Sequence, residues 1–549
     1  MDRRSTIATL LGRKRVPSPA TQSLSAGLEP YNGPWELAQA GHLLRRTTYC
    51  AHYENLQLSV QQGLDATLAE LLADRPAPEP PLNHFFANDP NVPVGETWVN
   101  APYSATENYI PYRNNSLYGW TGQLLLTEGI SVREKMVLFW HNHFVTGGIN
   151  EPRFIYDYSR TLREYALGNF REFTKAMTIN PLMLRYLNGN QNTAEAPNEN
   201  YSRELLELFT IGKGEPAGPG DYTTFTEDDV VQMARVLTGW RDTGFYDLAG
   251  NPVDSVFRAF RHDNGTKQLS HRFGNAVISN GGEGEFRTLI DIIFQQPEVA
   301  RFISRKLYRW FVYYEISDTV ETAVIEPMAQ LLIDNDFEVK PVLEVLFRSA
   351  HFYESAQRGC MIKNPMDFVF NAFNQFRTPA LTSLAARYEL GLSILTFVGL
   401  QLMTYYNPPS VAGWPAYYQE PVYYQLWINS VSLPQRMQFS VGFVTTGFVV
   451  RGQRVIIDVL AFVDSINNPS DPDAMIREFV GILFAQELAD NQLAYLKQVL
   501  LPGLPDAVWQ EEYINYVAEP TNEEKAAPVR TKLQLLLSVM LTMPEYFLM

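Results

Sequence analysis

Thr226-Glu227-Asp228-Asp229-Val230-Val231-Gln232-Met233-Ala234-Arg235-Val236-Leu237-Thr238-Gly239-Trp240 is the stretch on which the reading of the fold turns. Thr226 with Asp229 three positions on is a capping box, in which each side chain satisfies a backbone N–H that the first helical turn leaves open. It predicts a helix over 227–240. Upstream, Leu37, Ala40, Leu43 and Leu44 recur at helical spacing in Glu36-Leu37-Ala38-Gln39-Ala40-Gly41-His42-Leu43-Leu44-Arg45-Arg46, and amphipathic runs follow over 64–72, 132–140 and 200–209. Downstream, helical periodicity covers 289–311, 366–376, 385–398, 476–484, 493–499 and 532–543. The window 448–462 reads equally as strand or helix.

Between these runs lie long polar connections. Residues 76–111 are dense in Pro and Asn and carry Phe85, Phe86, Trp98 and Tyr103, and a loop of that length inside a folded chain is functional or wraps the surface. Residues 241–283 are rich in Gly, Asn and Asp and read as irregular, with room for a short hairpin. The expected architecture is mainly α, a large multi-helix body with long irregular loops and little sheet. Residues 1–34 read as an N-terminal arm and 35–549 as one large helical domain, with subdivision near 285 and near 430 as an option. No fixed-period repeat is visible, which disfavours a solenoid.

Composition sets further bounds. The chain has 549 residues, 46% apolar and 13% aromatic, enough for a large core and too rich in rigid side chains for a disordered chain. Its net charge of -16 argues against binding a nucleic-acid backbone, which demands a surplus of Lys and Arg. Cys50 and Cys360 allow at most one disulfide. No apolar run approaches the roughly 20 residues of a membrane-spanning helix. Arg3-Arg4 ahead of a short apolar stretch has the outline of a twin-arginine export signal, but Arg13-Lys14-Arg15 cuts that stretch short. This reading favours a cytoplasmic chain, with an exported or periplasmic one as the alternative.

Three clusters can carry chemistry. In Phe139-Trp140-His141-Asn142-His143-Phe144 two imidazoles stand two apart, so on a continuous helix they point to nearly opposite faces. They share a ligand only if the helix ends there, and Gly147-Gly148 makes an ending plausible. The competing reading is a helix terminus with one His on carbonyls and the other buried. In 198–208, Glu204 and Glu207 are three apart and so share a helical face, the way bundles present metal ligands or an acid/base pair. Against that stands an ordinary salt-bridge ladder through Glu199, Arg203 and Glu207. The third cluster is Arg261-His262-Asp263-Asn264-Gly265-Thr266-Lys267, a base, a carboxylate and an amine on a loop, with His271 nearby. Its plain reading is a turn in which Asp263 bonds the backbone.

These motifs, together with Ala234-Arg235, Leu237-Thr238-Gly239-Trp240 and Pro408-Pro409 with Gly413-Trp414-Pro415, resemble the bacterial domain-of-unknown-function family 1800, over His42 to the C-terminus. That family has no established activity. The resemblance implies frequent export and a neighbouring partner of a second uncharacterised family, number 1501, similar to sulfatase-like enzymes. Two departures stand out. Phe209 occupies a position where many members carry His, which weakens any scheme needing a third helical imidazole, and Ser270-His271 replaces an apolar-Gly pair.

The loop 405–427 sets Tyr405, Tyr406, Trp414, Tyr417, Tyr418, Tyr423, Tyr424 and Trp427 among prolines. Such rings suit a sugar or a protein partner, with Trp414, Tyr417, Tyr418 and Trp427 as the contact surface, or else pin the loop to its own core. The leading functional reading is a metal-assisted hydrolase acting on a polysaccharide or other envelope polymer. In it His141, His143 and Glu204 hold zinc, manganese or iron, and Glu207 is the general base. His262 is the proton donor, Asp263 its orienting partner, and Lys267 an anion contact. The rival is a non-catalytic scaffold or assembly subunit that binds a protein partner, its polar clusters being buried networks.

Overall fold

The computed structural model describes residues 27–376, 378 and 381–549. The Arg3-Arg4 stretch, Arg13-Lys14-Arg15 and most of the expected arm lie outside the described residues. The described end of the arm is laid along the body, with Tyr31 N–H donating to the Arg348 carbonyl at 2.8 Å and Ala350 N–H to Glu29 at 2.7 Å.

The structure is 56% helix and 7% strand, so the chain is mainly α. Among the described residues the named strands form only two-stranded antiparallel sheets. No helix among them is long and apolar enough to cross a membrane.

The capping box at Thr226 is formed in both directions, with Thr226 N–H on Asp229 at 2.8 Å and Asp229 N–H on Thr226 Oγ1 at 3.3 Å. The helix behind it runs Glu227–Val236 and stops short of the expected end. Gly239 turns to φ +96°, and Trp240–Thr243 pairs with Asp254–Phe257 as a hairpin, so 241–283 is less irregular than expected. The 289–311 periodicity is two helices, Glu285–Ile293 and Pro297–Phe311, because Pro297 cannot donate the amide that a continuous helix needs. The ambiguous window is both things in turn, a Phe448–Val450/Gln453–Val455 hairpin and then a Val459–Asp464 helix.

Two long helices, Ile110–Thr127 and Leu384–Leu400, cross backbone against backbone. At Gly119, Gly122 and Gly391 a Cβ would fall inside van der Waals distance of the opposite backbone, so glycine is what lets these helices touch. One continuous cluster of buried apolar side chains extends from Leu43 to Phe547. The 76–111 connection wraps this body and is fixed from below, by Trp98 Nε1 donating to Ser116 at 2.8 Å and by the buried Asp89–Arg113 pair at 3.1 Å.

Candidate functional site

The helix Arg133–His143 carries both imidazoles and stays helical through His143; only Phe144 leaves the helix. The helix therefore ends too late to turn the pair toward one point, and the two rings enter different surroundings. The Tyr158 hydroxyl gives its proton to the Phe144 carbonyl at 2.7 Å and so accepts from His141 Nδ1 at 2.8 Å. His141 Nε2 is left buried without a partner, among the rings of Tyr405, Tyr406 and Trp414. Burial pushes His141 down to about 3.

His143 faces the other way. Its Nε2 meets the Phe209 carbonyl at 3.0 Å and must donate to it, which leaves Nδ1 as an acceptor for Lys306 Nζ at 3.1 Å. Lys306 also donates to the Leu208 carbonyl at 2.8 Å. These two carbonyls are open because the Glu199–Glu204 helix continues as a π-helical turn, Leu205–Thr210, and then stops. Burial, with Arg309 adding to it, pulls Lys306 down to about 7.

A cavity of about 260 Å³ opens beside this pair. Asn142, His143, Glu207, Lys306 and Arg309 bring polar groups to it, and Tyr417, Tyr418, Tyr423 and Glu420 close it from the aromatic loop. The loop is anchored there by Asn142, whose Oδ1 accepts the Trp414 amide at 2.9 Å. Gly413, at φ +94°, lies so close to that amide oxygen that no side chain would fit. Tyr417 stacks on Trp310 with centroids 4.4 Å apart, and its hydroxyl accepts from Asn364 at 3.0 Å. Most of the eight rings are core: Trp414 is 1% and Trp427 5% exposed, whereas Tyr418 is 43% exposed. The pinned-loop alternative thus describes Trp414 and Trp427, while Tyr417, Tyr418 and Tyr423 line the cavity.

Glu207 also belongs to the ladder weighed against it. Arg203 lies 3.2 Å from Glu199, 2.8 Å from Glu227 and 3.7 Å from Glu207, and Lys213 is 3.3 Å from the same Glu207 oxygen. That oxygen nevertheless has no hydrogen bond. Glu204 stands outside the cavity, its carboxyl raised by burial and then by Glu207.

His262, Asp263 and Lys267 form a separate network, with His262 and Lys267 buried and Asp263 at its partly exposed edge. Both ring nitrogens of His262 meet acceptors, the Thr238 carbonyl at 2.9 Å and Glu285 at 3.0 Å. Lys267 donates to the other Glu285 oxygen at 2.6 Å and to the Asp263 carbonyl. The Asp263 carboxylate pairs with Arg235 at 2.7 Å, which holds it below the ordinary range, and it accepts the Gly265 amide at 2.8 Å, the turn role expected of Asp before Gly. Among the described residues no hydrogen bond or ion pair of this network reaches His141, His143, Glu204 or Glu207. His271 opens a separate short turn, His271–Phe273.

His141, His143 and Glu204 do not fit a shared metal ion. His143 has both nitrogens engaged, His141 is buried among aromatic rings away from the cavity that His143 lines, and Glu204 stands outside that cavity too. Among the described residues no group of three or more His, Cys, Asp or Glu is placed to hold one.

Lys306, Arg309 and Glu420 join the cavity without having been singled out in the sequence, and Glu285 likewise joins the second network. Lys306 and Arg309, three apart on a helix that also carries Arg301 and Arg305, were the visible sign of a cationic face.

Compared with known proteins, residues 42–548 match a family model described as "Protein of unknown function (DUF1800)". No curated protein and no solved structure matches the chain.

Proposed function

Because the chain belongs to the family of unknown function DUF1800, whose description names no activity, we propose a function from the cavity itself: a hydrolase that cleaves a glycosidic or similar linkage in a polysaccharide or other envelope polymer. The observation that carries it is the Lys306–His143 contact at the wall of a cavity whose other side is tyrosine.

Hydrolysis needs one group to take a proton from the attacking water and another to give one to the leaving oxygen. A lysine ammonium at about 7 still carries its proton in half of the molecules at neutral pH and suits the second task, while His143 Nδ1 and the Leu208 carbonyl hold the nitrogen in place. Glu207 lines the same cavity beside Arg203 and Lys213, and its carboxylate is the base in this scheme. The faces of Tyr417, Tyr418 and Tyr423 suit a sugar ring, which combines an apolar face with a polar rim. No step is assigned to zinc, manganese or iron, since His141, His143 and Glu204 do not make a common donor set.

One observation favours the scaffold reading, in which a protein of family 1501 or another partner is the ligand. Lys306 and His143 also satisfy the last carbonyls of a helix, a capping role that requires no chemistry.

The test is release of reducing ends from labelled envelope polysaccharides by the wild type, Lys306→Met and Glu207→Gln. The enzyme reading expects both variants to fold and to lose about 10²- to 10⁴-fold in rate. It also expects wild-type activity to fall as pH rises through about 7, where Lys306 loses the proton it gives to the leaving oxygen. Activity unchanged in Lys306→Met would sink it and leave the capping role.

A further inference from the structure

A second cavity, of about 730 Å³, lies far along the chain from these motifs, between the Leu37–Thr47 helix, the Ser355–Gln357 turn and the Pro472–Leu483 helix. Its walls are mixed. Leu37, Val480, Phe484, Leu488 and Leu493 give an apolar lining, and Arg45, Arg358 and Arg477 bring three guanidinium groups.

None of the three arginines has a carboxylate partner among the ion pairs of the described residues. Arg45 is the telling one. It is only 3% exposed, its Nη2 donates to the Gly481 and Ile482 carbonyls at 3.0 and 2.9 Å, and its Nε is buried with no acceptor. Arg358 Nε is buried and unpartnered in the same way. A buried cation without a counter-charge is costly, and burial draws Arg45 down to about 10, which still leaves it charged at neutral pH. The cavity's two carboxylates, Glu36 and Glu487, are both exposed, where water and salt screen them, so the unscreened charge is positive.

We propose that this cavity binds a small ligand with an anionic head group, a carboxylate or a phosphate ester, and an apolar body. The planar donor group of Arg358 matches the oxygens of either head group, Arg45, whose Nη2 is committed to the two carbonyls, adds its charge from the wall, and the leucine, valine and phenylalanine side chains take the body. The site is independent of the Lys306 cavity and stands whether or not that one is catalytic.

The test is calorimetric titration and thermal shift of the full chain with four probes: inorganic phosphate, octyl phosphate, octanoate and octylammonium. Saturable binding of octyl phosphate or octanoate, with octylammonium at least about tenfold weaker, is the expected result, and the tighter of the two anions identifies the head group. Inorganic phosphate binding more weakly than octyl phosphate supports the apolar wall. Arg358→Ala/Arg477→Ala changes only part-exposed and exposed side chains, so the fold is kept, and it weakens the anionic probes by about tenfold or more. The proposal is overturned if the anionic and cationic probes bind alike, if no anion saturates at millimolar concentration, or if the double variant binds as the wild type does.

Discussion

A neutral imidazole without a counter-charge makes His141 an acid-sensitive point. Its folded value of about 3 lies below the 6.5 of the unfolded chain, so between these values the unfolded state binds more protons. Stability is therefore full above about 6.5 and falls as pH drops toward 3. His42, His143 and His84 are displaced in the same direction by burial and add to the slope. Urea denaturation at a series of pH values should show His141→Gln losing less on acidification, by about one proton or ~1.4 kcal/mol per pH unit at most. Identical slopes for variant and wild type would mean that His141 does not titrate on unfolding. At this scale the sequence was half legible. Glu207 and His143 stood out by their spacing from a second carboxylate and a second imidazole, but the atoms that decide their surroundings, Lys306 Nζ and the Leu208 and Phe209 carbonyls, belong to a distant helix and to the backbone. Residue type and spacing carry no trace of a carbonyl's direction.

Helices were the most legible level because their causes are local. The Thr226 box and the 385–398 periodicity each declare themselves within a few turns. What escaped were features set by several residues acting together: the break at Pro297, inside a run whose apolar spacing carries on past it, and the π-helical turn at Leu205–Thr210. The helix crossing at Gly122 and Gly391 is of the same kind, since each glycine is unremarkable in its own segment. Gly122→Val puts a branched side chain into the opposite backbone and should cost at least about 1–3 kcal/mol in thermal or chemical unfolding. Gly129→Ala, at φ +76° with open space around it, strains only its own backbone and should cost no more than about 1 kcal/mol. If the two variants melted alike, close approach would not be what holds these helices together.

Over the whole molecule, the polar motifs divide into a network that is closed and a cavity that is open. His262 and Lys267 are both buried and meet on the two oxygens of the buried Glu285 carboxylate, and removing one partner strands the others. Glu285→Gln is expected to destabilise the chain by about 3–5 kcal/mol while leaving ligand contacts at Tyr418 unchanged. Lys306→Met is expected to do the reverse, and a differential scan beside a binding assay would read the contrast. Equal effects of both on binding would join the two regions into one functional unit. The cavity itself is assembled by Asn142 and His143 from one helix end, Glu207 from a second, Lys306 from the middle of a third and Tyr417 from a loop far downstream. No contiguous stretch of the chain holds more than a share of it. It therefore cannot be inherited, grafted or excised as a cassette. A chain split anywhere between 144 and 415 would have to regain it by reassociation of its pieces, and substitutions that abolish it would be scattered along a genetic map instead of gathering at one locus.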